Sequence, residues 1–61
     1  MAKFLEVSSS SIKYLINIDR ITLIEEKEDI GCEIHLLDEP KIIKTNETLK
    51  SLIEVLSKLV D

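Results

Sequence analysis

The chain is poor in the residues that build most catalytic and cofactor sites. Its 61 residues include one Gly, one Pro, one Cys, one His and no Trp, and its only aromatic residues are Phe4 and Tyr14. A phosphate-binding loop needs several glycines, and a hydrolase triad of the nucleophile-elbow type needs glycines around its serine and a histidine. Neither motif occurs. We therefore expect no catalytic residues, no cofactor and no enzyme activity.

The single cysteine and the single histidine do not form a recognisable pair. Cys32 excludes an intrachain disulfide, which fits a reducing compartment. His35 follows three positions later, and an odd separation on a strand places two side chains on opposite faces. We expect Cys32 to be a small buried hydrophobe and His35 a surface or interface residue. His35 and Glu33 share a face, but they would need ligands from a second copy to hold a metal, so we expect no metal site.

No segment of the chain concentrates positive charge. Eight Lys and Arg face twelve Asp and Glu, a formal net charge of −4, so phosphate backbones are repelled on average. Nucleic-acid binding is an alternative only if the basic side chains gather on one edge, and few aromatic rings are present for base stacking. The candidate contacts in that case are Lys13, Arg20, Lys41 and Lys44.

Long hydrophobic runs are also missing. The longest uncharged apolar run, Tyr14 to Ile18, is far too short to cross a bilayer. The segment from Met1 to Val7 has neither the hydrophobic region nor the cleavage-like site of a signal peptide. We expect a cytoplasmic protein that does not associate with membranes.

Alternating apolar and polar residues predict a series of short strands. Gly31, the only glycine, stands where the chain must reverse, because a positive φ costs glycine little. Within the third strand we expect Ile21 and Leu23 on one face and Thr22 and Ile24 on the other. The predicted strands are Phe4–Val7, Ile12–Ile16, Ile21–Ile24, Cys32–Leu37 and Lys41–Lys44, separated by turns at Ser8–Ser11, Asn17–Arg20, Glu25–Asp29 and Asp38–Pro40.

The end of the chain changes to a helical period. Apolar residues recur at spacings of three, one, three, three and one, with polar residues on the opposite side. Either Asn46 or Thr48 can cap the N-terminus of this helix. The fold class is therefore α+β: an antiparallel β-meander of four to five short strands followed by one C-terminal amphipathic helix, in a single domain spanning residues 1–61. The apolar side of the predicted helix consists of Leu49, Leu52, Ile53, Leu56, Leu59 and Val60.

The aliphatic residues exceed what one helix packed on one sheet face can cover. Ten Ile, nine Leu and three Val are present, and a domain of this size buries only roughly 60% of the surface that its unfolded chain exposes. When one face of an antiparallel sheet is exposed to solvent, the residues on that face are expected to be polar. The face away from the helix instead mixes aliphatic and polar residues, so we expect contact with a second copy or with another protein. The predicted contact residues are Leu15, Leu37 and either or both of Ile42 and Ile43.

Two resemblances involve the middle and end of the chain. The segment with Asn17, Asp19 and Ile21 to Glu25, followed by Glu33 to Leu36 and Lys41 to Ile43, resembles short FlbD/SwrD-type proteins associated with bacterial flagella and swarming. Ser10 and Ser11 stand where that family has Asn and Gly. The residues Ile21 to Glu25, Thr48, Leu49, Lys50, Leu52 and Leu56 resemble the first half of a LytTR DNA-binding domain, whose second half has no counterpart here.

These observations lead to one expectation and two alternatives. We expect a small, non-catalytic protein-interaction or regulatory module of a bacterium or phage that acts as a homo-oligomer. The resemblances imply the alternatives, a nucleic-acid-linked transcriptional regulator or a flagellar accessory protein.

Overall fold

A computed structural model describes residues 3–29 and 31–59. It contains five strands and one α-helix in the predicted order, so the expected α+β class is confirmed. The predicted helix residue Val60 lies outside the described residues. The elements are β1 (Phe4–Ser9), β2 (Ile12–Asn17), a 3₁₀ turn (Ile18–Arg20), β3 (Ile21–Glu26), β4 (Cys32–Leu36), β5 (Ile42–Thr45) and α1 (Leu49–Leu59).

The meander is divided into two antiparallel sheets. β1 pairs with β2, and β4 lies between β3 and β5. The 3₁₀ turn separates β2 from β3, and its start is fixed because Asn17 Oδ1 accepts a hydrogen bond of 3.0 Å from the backbone N–H of Asp19. The two sheets meet where β1 lies beside β5. There the Thr45 hydroxyl donates to the carbonyl oxygen of Ser8 at 2.7 Å.

The first hairpin is tighter than predicted. β1 continues through Ser8 to Ser9, and Ser9 pairs with Ile12, so the loop contains only Ser10 and Ser11 instead of the predicted Ser8–Ser11 turn. Two-residue hairpin loops need a positive φ at their first central residue. Ser10 supplies it, with φ at 56°.

The core lies between the two sheets and the helix. Alternation along each strand sends one set of side chains inward, as predicted for Ile16, Cys32 and Ile34. Ile12, expected on the same side as Ile16, lies beside the hairpin loop at the end of β2 and is 53% exposed. The buried apolar residues are Leu5, Val7, Ile16, Cys32, Ile34, Ile43 and Leu52.

A β-bulge overturns the predicted faces of β3. The register with β4 shifts between Ile21 and Leu23, and such a shift turns the following side chains over. Ile21 and Ile24 therefore both pack against the core, while Leu23 is 53% exposed. The prediction that Ile21 and Leu23 share a face is wrong for this reason.

The helix buries a narrower stripe than predicted. Leu52 is fully buried, and Leu49 and Leu56 pack against the core beside it. Ile53 was expected on the same side but is 55% exposed. It lies about 100° around the helix from Leu52, at the edge of the helix surface that faces the core. Thr48 is the cap: its hydroxyl oxygen accepts from the backbone N–H of Ser51 at 3.1 Å.

Candidate functional site

The outward-facing side of the β3–β4–β5 sheet presents a row of apolar side chains around the histidine. Leu23 of β3 is in register with His35 of β4, and His35 is in register with Ile42 of β5. Leu37, two residues beyond His35, continues this surface. Leu23, Leu37 and Ile42 are 53%, 46% and 41% exposed. We call Leu23, His35 and Ile42 the aliphatic row.

A second row of charged residues runs beside the first. Glu25, Glu33 and Lys44 are in register across the same three strands. Lys27 joins this row from the end of β3, with its Nζ 3.5 Å from Oε1 of both Glu25 and Glu33. These two carboxylates raise the pKa of the Lys27 amine above its ordinary value. We call Glu25, Glu33 and Lys44 the charged row, and the two rows with Leu37 the outer face.

His35 connects the two rows. Its Nε2 lies 4.0 Å from Oε1 of Glu25, and this nitrogen is shielded from solvent without a hydrogen-bond partner in the described part of the chain. Ligand atoms of Glu25, Glu33 and His35 all lie within 4.8 Å of one another, the composition of a possible cation site. The ammonium group of Lys27 already supplies positive charge to both carboxylates. Sequence reasoning paired His35 with Glu33 only, because the position of Glu25 depends on the β3–β4 register.

The structure separates the four predicted contact residues. Leu37 and Ile42 lie on the outer face, whereas Ile43 is only 6% exposed and belongs to the core. Of the two neighbouring isoleucines that the sequence offered, Ile42 is therefore the exposed one, because alternation along β5 allows only one of them to point outward. Leu15 lies on the other sheet, opposite Glu6, and is 69% exposed.

The four basic residues named as candidate nucleic-acid contacts occupy different surroundings. Lys13 forms an exposed ion pair with Glu6 at 3.9 Å. The Nζ of Lys41 lies 5.2 Å from the centre of the Tyr14 ring, a cation–π distance. Arg20 precedes β3 at the end of the sheet nearest Leu37, where its carbonyl oxygen accepts from the Leu37 N–H. Lys44 lies towards the opposite end, in register with Glu33.

Cys32 is not placed for nucleophilic chemistry. Its side chain is 2% exposed, although it borders an open cleft of about 370 Å³ that is also lined by Lys27 and Lys44. Burial raises the pKa of the Cys32 thiol, and the carboxylates of Glu26 and Glu47 raise it further. Because the thiolate is the reactive form of cysteine, this environment disfavours attack by Cys32.

No family model, curated protein or solved structure matches this chain. Across residues 3–29 and 31–59, the structure contains no helix with both the length and the apolar character needed to span a bilayer.

Proposed function

We propose that this protein is a small, non-catalytic association module that acts as a homo-oligomer through the outer face. The observation that carries the proposal is the exposure of Leu23, Leu37 and Ile42 on one side of one sheet, around a half-buried His35. Scattered exposed aliphatic residues are normal, but a group of them surrounded by polar residues is typical of a protein contact surface.

The chemistry of the other candidate sites supports a binding role over a catalytic one. The buried Cys32 has a raised thiol pKa, and the carboxylates nearest His35 are engaged with Lys27. The single buried thiol is also compatible with a reducing cytoplasm, which we propose as the location. Because the proposed activity is binding to other protein chains, we propose a regulatory or adaptor role for this module.

The oligomeric mass in solution tests the proposal. Light scattering coupled to gel filtration, run from low to high micromolar protein, should give a mass above the 7.0 kDa of one chain. The variant Ile42→Lys should shift the mass towards the monomer, because it places a charge in the apolar contact. Ile53→Lys is the matched control: Ile53 is a similarly exposed aliphatic residue on the helix, and its substitution should leave the mass unchanged.

Two results would contradict the proposal. A wild-type chain that stays monomeric at high micromolar concentration would remove the homo-oligomer. An oligomer that Ile53→Lys disrupts as strongly as Ile42→Lys would move the contact away from the outer face. Circular dichroism of each variant shows whether it retains the folded state.

A further inference from the structure

The pattern of side chains on the outer face is complementary to itself. We propose that two copies pack outer face to outer face around a two-fold axis that runs parallel to β4 and passes between the two β4 strands. This inference rests on the proposed homo-oligomer and specifies its geometry. Such an axis places each row of one copy opposite the same row of the other copy. It also places β3 of one copy opposite β5 of the other, and β4 opposite β4.

The aliphatic row meets its counterpart favourably in this arrangement. Leu23 on β3 faces Ile42 on β5 of the other copy, and this contact occurs twice. Residues of β4 meet their own equivalents at the axis, so His35 lies against His35, and Leu37, which directly follows β4, packs against Leu37. Two sheets packed face to face stand about 10 Å apart, a separation that aliphatic side chains from both surfaces fill.

The charged row decides the direction of the axis. Glu25 on β3 faces Lys44 on β5 of the second copy, again twice, so opposite charges meet on both sides of the centre. Lys44 forms no ion pair among the residues that the structure describes, and the contacts of Glu25 with Lys27 and His35 both use Oε1 rather than Oε2. A Lys and a Glu side chain are therefore available on each side for a contact between copies.

Like charges at the axis are compensated within each copy. Glu33 would face Glu33, an arrangement that is unfavourable when isolated. Each Glu33 is, however, only 19% exposed along its side chain and lies 3.5 Å from the amine of its own Lys27. Two lysines and two glutamates then form a balanced group at this point. An axis perpendicular to the strands would not preserve the rows and would lose the pairing of Glu25 with Lys44.

Reversing the charges of Glu25 and Lys44 tests the proposed contact between copies. Recovery of dimerisation on mixing two different variants cannot arise from contacts within one chain. Glu25→Lys alone creates two Lys–Lys contacts in a symmetric dimer, and Lys44→Glu alone creates two Glu–Glu contacts. Each variant alone should dimerise at least about tenfold more weakly than the wild type. When the two variants are mixed, both contacts between copies become oppositely charged. The mixture should therefore form a heterodimer with an affinity near that of the wild type.

When one of the two variants is uniformly labelled with ¹⁵N, native mass spectrometry of the mixture distinguishes the heterodimer from both homodimers by mass. The matched control exchanges the charges of the exposed pair Glu6 and Lys13 on the other sheet. Glu6→Lys and Lys13→Glu should each remain homodimeric and should mix statistically with no preference for the heterodimer.

The possible failures are distinguishable. A monomeric wild type overturns the proposed function and this geometry together. A wild-type dimer that neither Glu25→Lys nor Lys44→Glu weakens leaves the homo-oligomer intact and overturns the face-to-face arrangement. Two weakened variants that do not recover in the mixture overturn the pairing of Glu25 with Lys44, and with it the proposed axis.

Discussion

Gly31 and Thr45 lie so close together that a side chain on Gly31 would collide with the β5 backbone. A Cβ atom at Gly31 would be 1.8 Å from the carbonyl oxygen of Thr45, and the φ of Gly31 is +92°. The only glycine of the chain thus meets two requirements at the start of β4: a backbone conformation that other residues resist, and a close approach of two chain segments.

We expect Gly31→Ala to destabilise the fold by at least about 2 kcal/mol, because it combines backbone strain with a steric clash against main-chain atoms. In a domain of this size, that loss lowers the melting temperature by roughly 8 °C or more. Thermal unfolding followed by circular dichroism at fixed protein concentration measures it.

Ser10→Gly is the matched control for this substitution. Ser10 also has a positive φ, 56°, but it lies exposed in a hairpin loop. Glycine there relieves the backbone, so the variant should be at least as stable as the wild type. Equal destabilisation by the two substitutions would contradict the role assigned to Gly31.

Thr48→Ala should destabilise the protein by about 1 kcal/mol, because the Thr48 hydroxyl oxygen accepts from the Ser51 N–H at the first turn of α1. Chemical denaturation with urea measures the change. Asn46→Ala tests the other residue that the sequence offered as a cap. Its effect should stay within about 0.5 kcal/mol, and a larger loss from Asn46→Ala than from Thr48→Ala would contradict the capping assignment.

The raised pKa of Cys32 predicts a loss of stability in alkaline solution. Below the thiol pKa of the unfolded chain, about 8.5, both states hold the proton and the full stability is present. As the pH rises further, the unfolded chain releases its proton first, so the free energy of unfolding falls until the folded thiol also ionises. Urea denaturation under reducing conditions between pH 7.5 and 10.5 should show a slope of at most about 1.4 kcal/mol per pH unit from this group.

Cys32→Ala isolates the contribution of the thiol. Lys27 also has a raised pKa, and a raised pKa acts in the same direction, so some decline at high pH should remain in the variant. Only the slopes are compared, because removal of the sulfur also changes core packing at every pH. If the free energy of unfolding fell with pH at the same slope in the variant and the wild type, the Cys32 thiol would have the same pKa in the folded and unfolded states. That result would contradict the prediction.

The elements of the fold follow from local patterns in the chain. Alternation over Cys32 to Leu36 placed Cys32 and Ile34 inside and His35 outside, and the structure confirms this arrangement. The one glycine and the helical period after Thr48 were equally direct signals. Local geometry is sufficient in these places because a strand or a helix repeats the same backbone conformation from residue to residue.

Features that depend on a neighbouring element could not be predicted. The bulge that turns Leu23 outward is a property of the β3–β4 ladder, and the exposure of Ile53 depends on which side of α1 packs against the core. The candidate site has the same origin: Glu25 approaches His35 only through the register of two strands.

The amino-acid sequence by itself therefore determined the order of the elements and the turn at Gly31, since each depends on residues close together in the chain, and its composition determined an excess of aliphatic residues. Tertiary structure alone decided where that excess lies. The choice between Ile42 and Ile43 shows why: both suit a strand equally well, and only the packing of β5 against the core buries Ile43 and leaves Ile42 beside His35 and Leu23.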